Sequence, residues 1–431
     1  MSLEPGPTKI PQGVSPITNT QYFPHSFNCM QEVFTISKGQ NKALGKFNRP
    51  KKVGHFSIDG ERKFKDDDSE LKYFAPPVNK FNQKMRRPNF NLNNGMHDPN
   101  NVKKNEKHFE GLDNLLRWSS LHWDKVSGPE TPQPHVVTWR GVLTKIMNAP
   151  FDNKTQWNIL AIKHKGTIYL CEYKTDDQHD DVESLPHWVK KTFYWGRKVE
   201  TFLTANEPGG PPRPEEPVNE NSEYVSVFRS QLGQIQLMYG AEVDCVDHTL
   251  DPEKFPSPSN FIEIKTQREL KDKQRKEVFR KYKLSKWWAQ SFLAGIPRVM
   301  TAFRDDRGFV TNLDIIETQS MPRQAALEAY SWKPSTMLGF LERFLTFVRD
   351  VMAKVDDCTY VFEWNPEWEG VCFTFDPDQQ KETFFLPTWY RDHINTAAVK
   401  AAEAKIEKER ENVEISAKVA ATKEGEPIVL D

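Results

Sequence analysis

The sequence contains few cysteines and no motif that pairs them. Five occur among 431 residues, and none belongs to a CxxC pair, so a zinc site of that type is not indicated. Their odd number and the lack of a signal peptide favour a reducing compartment. We therefore expect an intracellular protein, although composition does not distinguish the nucleus from the cytoplasm.

The chain also lacks a long apolar run and an excess of either charge. No stretch is long enough to span a bilayer, so no membrane partner is expected. The formal net charge is −1, which excludes a globally basic protein, and any nucleic-acid binding must come from a local cleft. With 37% hydrophobic residues, the chain can nevertheless form a sizeable α/β core.

Composition divides the chain into three parts. Residues 1–50 are rich in Pro, Asn, Gln and Thr and are predicted to form a flexible arm. Residues 396–431 are rich in Ala, Glu and Lys, which predicts a charged tail, either a solvated helix or a frayed one. Residues 51–395 alternate strand and helix patterns and are predicted to form one large domain. Its expected elements include a strand pair turning at Gly233 and helices over 193–204 and 337–355.

Two short apolar stretches in the middle of the chain carry charged side chains two positions apart. These are Glu242 with Asp244, and Glu263 with Lys265. On strands, each pair would point to one face. Three converging carboxylates would repel one another, and a divalent metal with oxygen ligands, Mg²⁺ or Mn²⁺, is the usual resolution. Lys265 would then hold an attacking water or offset charge on a phosphate.

The order Asp, then Glu-x-Lys, is typical of restriction-endonuclease-like metal nucleases. By itself the pattern fits equally well a half-exposed strand whose charges alternate with apolar residues. The surrounding motifs are needed to choose between these interpretations.

Five motifs occur in the order in which the DXO family of eukaryotic decapping nucleases carries them, and the sequence resembles that family. The similarity extends from about Phe56 to Tyr390, and the motifs are residues 139–141, 194–200, 242–245, 262–266 and 286–293. The resemblance implies mixed central β-sheets flanked by helices, with a restriction-endonuclease-like metal nuclease core and a site in a cleft. The large central part is thereby expected to be a decapping nuclease domain.

The resemblance implies a hydrolase that acts on RNA 5′ ends. Family members remove incomplete or non-canonical caps, including NAD caps, and release pyrophosphate from 5′-triphosphate RNA, and some then degrade the RNA 5′→3′. We therefore expect capped, NAD-capped, triphosphate or monophosphate RNA as the substrate, in mRNA quality control and decay. The nucleus is the expected location, and the cytoplasm is the alternative.

The resemblance also implies the metal-binding residues. Glu200, Glu242, Asp244 and Glu263, with the backbone carbonyl of Ile264, would hold two divalent ions, Mg²⁺ or Mn²⁺. Glu200 would act partly through water. An exposed carboxylate in the first turn of a helix is the alternative interpretation of Glu200. The expected catalytic residues are Glu242, Asp244, Glu263 and Lys265.

Substrate contacts follow from the same resemblance. The Arg140 guanidinium suits a pair of phosphate oxygens, and an ion pair with one of the acids is its alternative. Gln290 would contact the RNA backbone, and a hydrogen-bonded buried amide is its alternative. The full expected set is Arg62, Glu110, Trp139, Arg140, Gly141, Glu242, Lys265 and Gln290.

Four positions depart from the family pattern. Arg197 replaces the usual aromatic residue, Val199 replaces Phe, Ala241 replaces Gly, and Val225 stands where relatives often have Cys. None removes an expected metal ligand. We expect these changes to alter pocket shape and substrate preference rather than the class of reaction.

Two other functions remain open at this point. One is an interaction protein, because fungal relatives bind and stabilise a nuclear 5′→3′ exoribonuclease, although a scaffold has no need of clustered acids. The other is a DNA nuclease, because the same core cleaves DNA elsewhere and no residue can be assigned to reading the 2′-hydroxyl.

Overall fold

The computed structural model describes residues 34–35, 45–77, 88–104, 111–128, 130–152, 154–173, 185–250, 256–329, 331–368 and 370–399. The chain forms two compact units, Met1–Phe385 and Leu386–Asp431. In the second unit, residues 388–399 are helical. The predicted arm and tail lie almost entirely outside the described residues, so the domain boundaries stay a prediction.

The described residues of the larger unit contain seventeen strands and eight α-helices. The strands are β1 (Phe34–Thr35), β2 (Lys51–Ile58), β3 (Phe64–Lys65), β4 (Tyr73–Phe74), β5 (Phe90–Asn91), β6 (Val136–Trp139), β7 (Trp157–His164), β8 (Thr167–Tyr173), β9 (Thr204–Ala205), β10 (Glu223–Leu232), β11 (Ile235–Glu242), β12 (Cys245–Val246), β13 (Phe261–Arg268), β14 (Arg298–Arg304), β15 (Phe309–Glu317), β16 (Thr359–Asn365) and β17 (Gly370–Asp376). The helices are α1 (Asp113–Leu121), α2 (Trp123–Val126), α3 (Arg140–Asn148), α4 (His187–Leu203), α5 (Lys273–Val278), α6 (Leu284–Leu293), α7 (Met321–Ala325) and α8 (Pro334–Val351).

The strands of the larger unit form two mixed sheets. The first has the order β1-β17-β16-β7-β8-β6-β11-β10-β2-β3, and β6 runs parallel to both β8 and β11. The second has the order β5-β15-β14-β13-β12-β4-β9, and β13 runs parallel to β14. The expected mixed α/β architecture is therefore confirmed.

Two tight turns fix the register of the long hairpins. Gly233, with φ of +57°, lies between β10 and β11 as expected. Lys165 and Gly166, with φ of +49° and +84°, join β7 to β8. In the turn at Lys165 and Gly166, positive φ at both central residues matches the twist of the flanking strands, which favours this type of hairpin turn.

The helices cover the sheets through apolar faces. Helices α3, α6 and α8 contribute to one large buried cluster with the first sheet, which includes Phe340, Phe344 and Phe362. Helix α4 contributes Trp195 and Val199 to a second cluster that contains residues of β13 and β14. The predicted helix over 337–355 corresponds to α8, whose start lies three residues earlier.

The strand predicted through residues 240–245 is interrupted. Strand β11 of the first sheet ends at Glu242, and β12 of the second sheet begins at Cys245. Residues 243 and 244 therefore connect the two sheets. The period-two pattern could not reveal this break, because it specifies faces and not the sheet to which a strand belongs.

Within the described residues, no helix is both long enough and apolar enough to cross a bilayer. The four described cysteines are Cys171, Cys245, Cys358 and Cys372, and they form no disulfide with one another.

Candidate active site

The passage of the chain from one sheet to the other places acidic residues beside a buried strand. Glu242 ends β11, Asp244 lies in the connection, and Glu263 and Lys265 lie on β13. Helix α4 supplies Glu200. Electrostatic interactions link all four carboxylates, so the structure brings the predicted acids together.

Glu263 is the most deeply buried of these acids. Its side chain is 2% exposed, and its Oε1 lies 2.5 Å from the Lys265 Nζ. Burial alone would raise the pKa of Glu263, but Lys265 and Arg140 bring it below its usual value. Its Oε2 has no hydrogen-bond partner among the described residues, although Arg140 Nη1 lies 3.8 Å away. A buried carboxylate oxygen without a partner is the expected state of a metal ligand before binding.

Asp244 is held by the neighbouring strand. Its Oδ2 accepts a hydrogen bond of 2.6 Å from the backbone N–H of Ile264. Because the N–H and C=O of one strand residue point to the same side, the Ile264 carbonyl leaves β13 on the edge that faces Asp244. Burial, together with the charge of Glu263, raises the pKa of Asp244 well above its ordinary value.

Glu200 lies in the last turn of α4. The interpretation that placed it in a first turn is wrong, because the helix begins at His187 and ends at Leu203. The negative end of the helix dipole disfavours a carboxylate there. Burial raises the pKa of Glu200 to about 7, against the lowering effect of Arg197.

Arg197 joins two of the acids. Its Nη1 lies 3.3 Å from Glu242 Oε1 and 3.7 Å from Glu200 Oε1. Three cations, Arg140, Arg197 and Lys265, thus accompany the carboxylates. Among the described residues, no group of three His, Cys, Asp or Glu side chains is arranged closely enough to hold a metal ion.

The donor set nevertheless fits a hard divalent cation. All the candidate ligands are oxygen atoms, and the unpartnered Glu263 Oε2 offers a lone pair inside the cluster. Cations already bind Glu200, Glu242 and Glu263, and Asp244 accepts from the Ile264 amide. Small side-chain movements would therefore be needed before three oxygens could share one ion.

Comparison with known proteins decides the family. The family model described as RAI1-like PD-(D/E)XK nuclease matches residues 48–391. The chain belongs to this nuclease family. The Decapping and exoribonuclease protein of Bos taurus is 34% identical over 350 residues, which are 81% of this chain and 86% of that protein. The resemblance to decapping nucleases and the expected hydrolase class are thereby confirmed.

Two solved structures of Rai1 share the fold of the chain. Scheffersomyces stipitis Rai1, in complex with (3′-NADP)⁺ and calcium ion, has a TM-score of 0.72 at 21% identity and covers 84% of this chain and 99% of that one. Candida albicans Rai1, in complex with pU5-Mn²⁺, has a TM-score of 0.69 at 19% identity and covers 85% of this chain and all of that one. At these identities the likeness shows the fold alone.

In this member of the nuclease family, Arg140 binds backbone carbonyls. Its Nη1 donates to the Gln290 carbonyl at 3.0 Å and its Nη2 to the Glu242 carbonyl at 3.3 Å. Because the side chain is buried, it fastens α3 to α6 and to the end of β11. Its 3.8 Å distance to Glu263 matches the ion-pair alternative, and its phosphate contact stays a prediction. The Gln290 side chain is half-buried, so the fully buried amide is not what the structure contains.

Trp139 and Gly141 flank Arg140 and differ in their surroundings. The Trp139 indole N–H donates to the Gly111 carbonyl at 3.0 Å. Its ring lies against Gly240, where an added Cβ would come within 2.5 Å of the ring. An added Cβ at Gly141 would meet nothing within 4 Å, so this glycine borders open space.

Two of the expected substrate contacts, Arg62 and Glu110, precede residue 111. Arg62, with φ of +64°, donates to Glu223 Oε1 at 2.7 Å and to the Asn221 carbonyl. Glu110 lies outside the described residues. Lys104 also contacts Glu223, at 2.9 Å, and lowers the pKa of Glu242. Lys104 was missed from the sequence because no motif surrounds it.

Replacing Asp244 with asparagine tests whether the acids serve a metal rather than the fold. Asp244→Asn keeps an oxygen for the Ile264 N–H but removes a charge beside Glu263. The melting temperature of the metal-free protein should therefore stay constant or rise. Loss of a residue that merely supports a metal ligand usually lowers metal affinity about 10–100-fold. Mn²⁺ affinity of Asp244→Asn, measured by calorimetry, should fall at least this much.

The matched control for this experiment is Asp247→Asn, since Asp247 binds the Thr249 hydroxyl and amide. This variant should retain native Mn²⁺ affinity. Unfolding of Asp244→Asn without metal would instead make Asp244 a structural residue.

The raised pKa of Glu200 predicts a pH-dependent stability of the metal-free protein. A carboxyl whose pKa rises from 4.5 to about 7 on folding stabilises the fold fully below pH 4.5. That contribution is lost as the pH rises through about 7. The difference in melting temperature, Glu200→Gln minus the native protein, should therefore increase from pH 5 to pH 8. A difference between the two proteins that is constant over this range would contradict the prediction.

Proposed function

We propose that this protein is a metal-dependent hydrolase of RNA 5′ ends. It removes incomplete or non-canonical caps, including NAD caps, and 5′ pyrophosphate, and then degrades the exposed RNA 5′→3′. The observation that carries the proposal is the buried Glu263, with an unpartnered Oε2, between Lys265 and the connection that holds Asp244. Relatives named decapping and exoribonuclease proteins supply the substrate class.

The carboxylates of Glu200, Glu242, Asp244 and Glu263, with the Ile264 carbonyl, would hold the metal, Mg²⁺ or Mn²⁺, as two ions. The Mn²⁺ in the Candida albicans relative supports a divalent ion of this type. When bound, such ions polarise a phosphoryl oxygen and lower the pKa of a water molecule.

The chain's own cations would orient the phosphate. Lys265 lies beside Glu263 with a quarter of its side chain exposed, so its ammonium can offset charge that develops on the scissile phosphate. Arg140 is fixed by two carbonyls and keeps the end of β11 in place relative to α6. Fixing these groups before substrate arrives reduces the reorganisation that the reaction requires.

Single-stranded 5′ ends are the proposed form of the substrate. The acids lie where two sheets meet, and an extended strand can bring one phosphate into such a position more readily than a duplex can. A net charge of −1 provides no broad surface for a duplex. The proposed nuclear location and the binding of a 5′→3′ exoribonuclease rest on the resemblance alone.

A panel of 5′-labelled RNAs tests the activity. The RNAs carry an NAD cap, a triphosphate, an unmethylated cap, a methylated cap or a monophosphate. We expect product with Mg²⁺ or Mn²⁺, none in excess EDTA, and recovery when metal is restored. Asp244→Asn is the inactive control. Full activity of the native protein in EDTA would refute the metal dependence.

A circular RNA distinguishes 5′-end hydrolysis from internal cleavage. We expect the linear monophosphate RNA to be degraded while a circle of the same sequence and a blunt duplex persist. An RNA duplex with a single-stranded 5′ overhang is the matched control and should be shortened. Cleavage of the circle at a rate similar to that of the linear strand would identify an endonuclease.

A further inference from the structure

Arg197 occupies one side of the acidic cluster. It stands one helical turn before Glu200 on α4, and the same guanidinium nitrogen lies 3.3 Å from Glu242 and 3.7 Å from Glu200. Glu200 and Glu242 come from different elements, a helix of the larger unit and the end of a strand in its first sheet. A single cationic side chain thus holds two proposed metal ligands in place.

The other side of the cluster is arranged differently. Lys265 binds one oxygen of Glu263, but the second oxygen has no hydrogen-bond partner among the described residues. Asp244 uses one oxygen for the Ile264 amide. A divalent ion arriving at Glu263 and Asp244 therefore meets an oxygen without a hydrogen-bond partner, 3.8 Å from the Arg140 guanidinium. An ion arriving at Glu200 and Glu242 meets a guanidinium.

Both electrostatics and geometry oppose the presence of Arg197 and a divalent cation together beside Glu200 and Glu242. Mg²⁺ requires its oxygen ligands at about 2.0–2.1 Å, so two carboxylates sharing an ion must approach each other closely. Arg197 lies against both carboxylates, and its positive charge repels a second cation. The side chain of Arg197 is 38% exposed, so it has room to turn towards solvent without unfolding α4.

We propose that Arg197 competes with a divalent cation for the Glu200 and Glu242 side of the cluster. The Glu263 and Asp244 side fills first, and the second ion binds only as the guanidinium leaves. This inference rests on the proposed metal dependence. It assigns to Arg197, a departure from the family pattern, the control of metal loading rather than a passive effect on pocket shape.

Calorimetric titration of the metal-free protein with Mn²⁺ tests the competition without an activity measurement. The native protein should show one tighter and one weaker site. Arg197→Met removes the charge and retains a long side chain, so its weaker site should tighten by on the order of tenfold. Arg197→Lys keeps the charge and should stay close to native. Arg275→Met is the matched control, because Arg275 on α5 pairs with Asp272, the residue just before that helix.

Thermal melting provides a second measurement. Without metal, Arg197→Met should melt at a lower temperature than the native protein, because Glu200 and Glu242 lose their shared counter-ion. With saturating Mn²⁺, its gain in melting temperature should exceed that of the native protein. If Arg197→Met does not fold, Arg197→Gln takes its place in both measurements.

The possible failures are distinguishable. Equal or weaker Mn²⁺ binding by Arg197→Met would overturn the competition and leave the proposed metal dependence intact. Arg197→Lys behaving like Arg197→Met would also overturn it, because the charge would then not be the cause. Absence of Mn²⁺ binding by every variant and by the native protein would overturn both proposals.

Discussion

Repulsion among four carboxylates is the constraint on which the arrangement of this site depends. Glu200, Glu242, Asp244 and Glu263 interact electrostatically at the junction of two sheets. Ionised acids that are withdrawn from water at such distances are stable only with compensating charges or hydrogen bonds. In the described residues each carboxylate has such a partner, namely a guanidinium, an ammonium or a backbone amide. These partners are the groups that a metal must replace or share.

The same acids lie at the point where the chain leaves the first sheet. If β11 continued through Asp244, the side chains of Glu242 and Asp244 would lie on one face of one sheet, as the sequence pattern predicted. Instead, Asp244 reaches β13 of the second sheet and accepts from Ile264. The break thus directs Asp244 to the strand that carries Glu263. Arg140 secures the end of β11 at this point by binding the Glu242 carbonyl.

Sequence patterns correctly predicted the features that depend on residues close together in the chain. The contact between Glu263 and Lys265 follows from the two-residue period of a strand, and the hairpin at Gly233 follows from a turn residue with positive φ. The helix predicted over 193–204 begins earlier, at His187. Its start was missed because no side chain caps the N-terminus of α4, and only Pro186 marks the boundary. The contact of Arg197 with Glu242 could not be predicted, since the two residues lie 45 positions apart and on different elements.

The structure also separates the four departures from the family pattern into two kinds. Val199 and Ala241 are buried in the two apolar clusters, so they change core packing. Val225 lies opposite Glu242 in the hairpin, and Arg197 contacts Glu242 directly. A side chain of changed size in a core affects stability mainly through the packing around it. A charge placed among metal ligands instead changes how readily the ligands accept a cation. Of the four, Arg197 is therefore the departure that can alter the chemistry of the site.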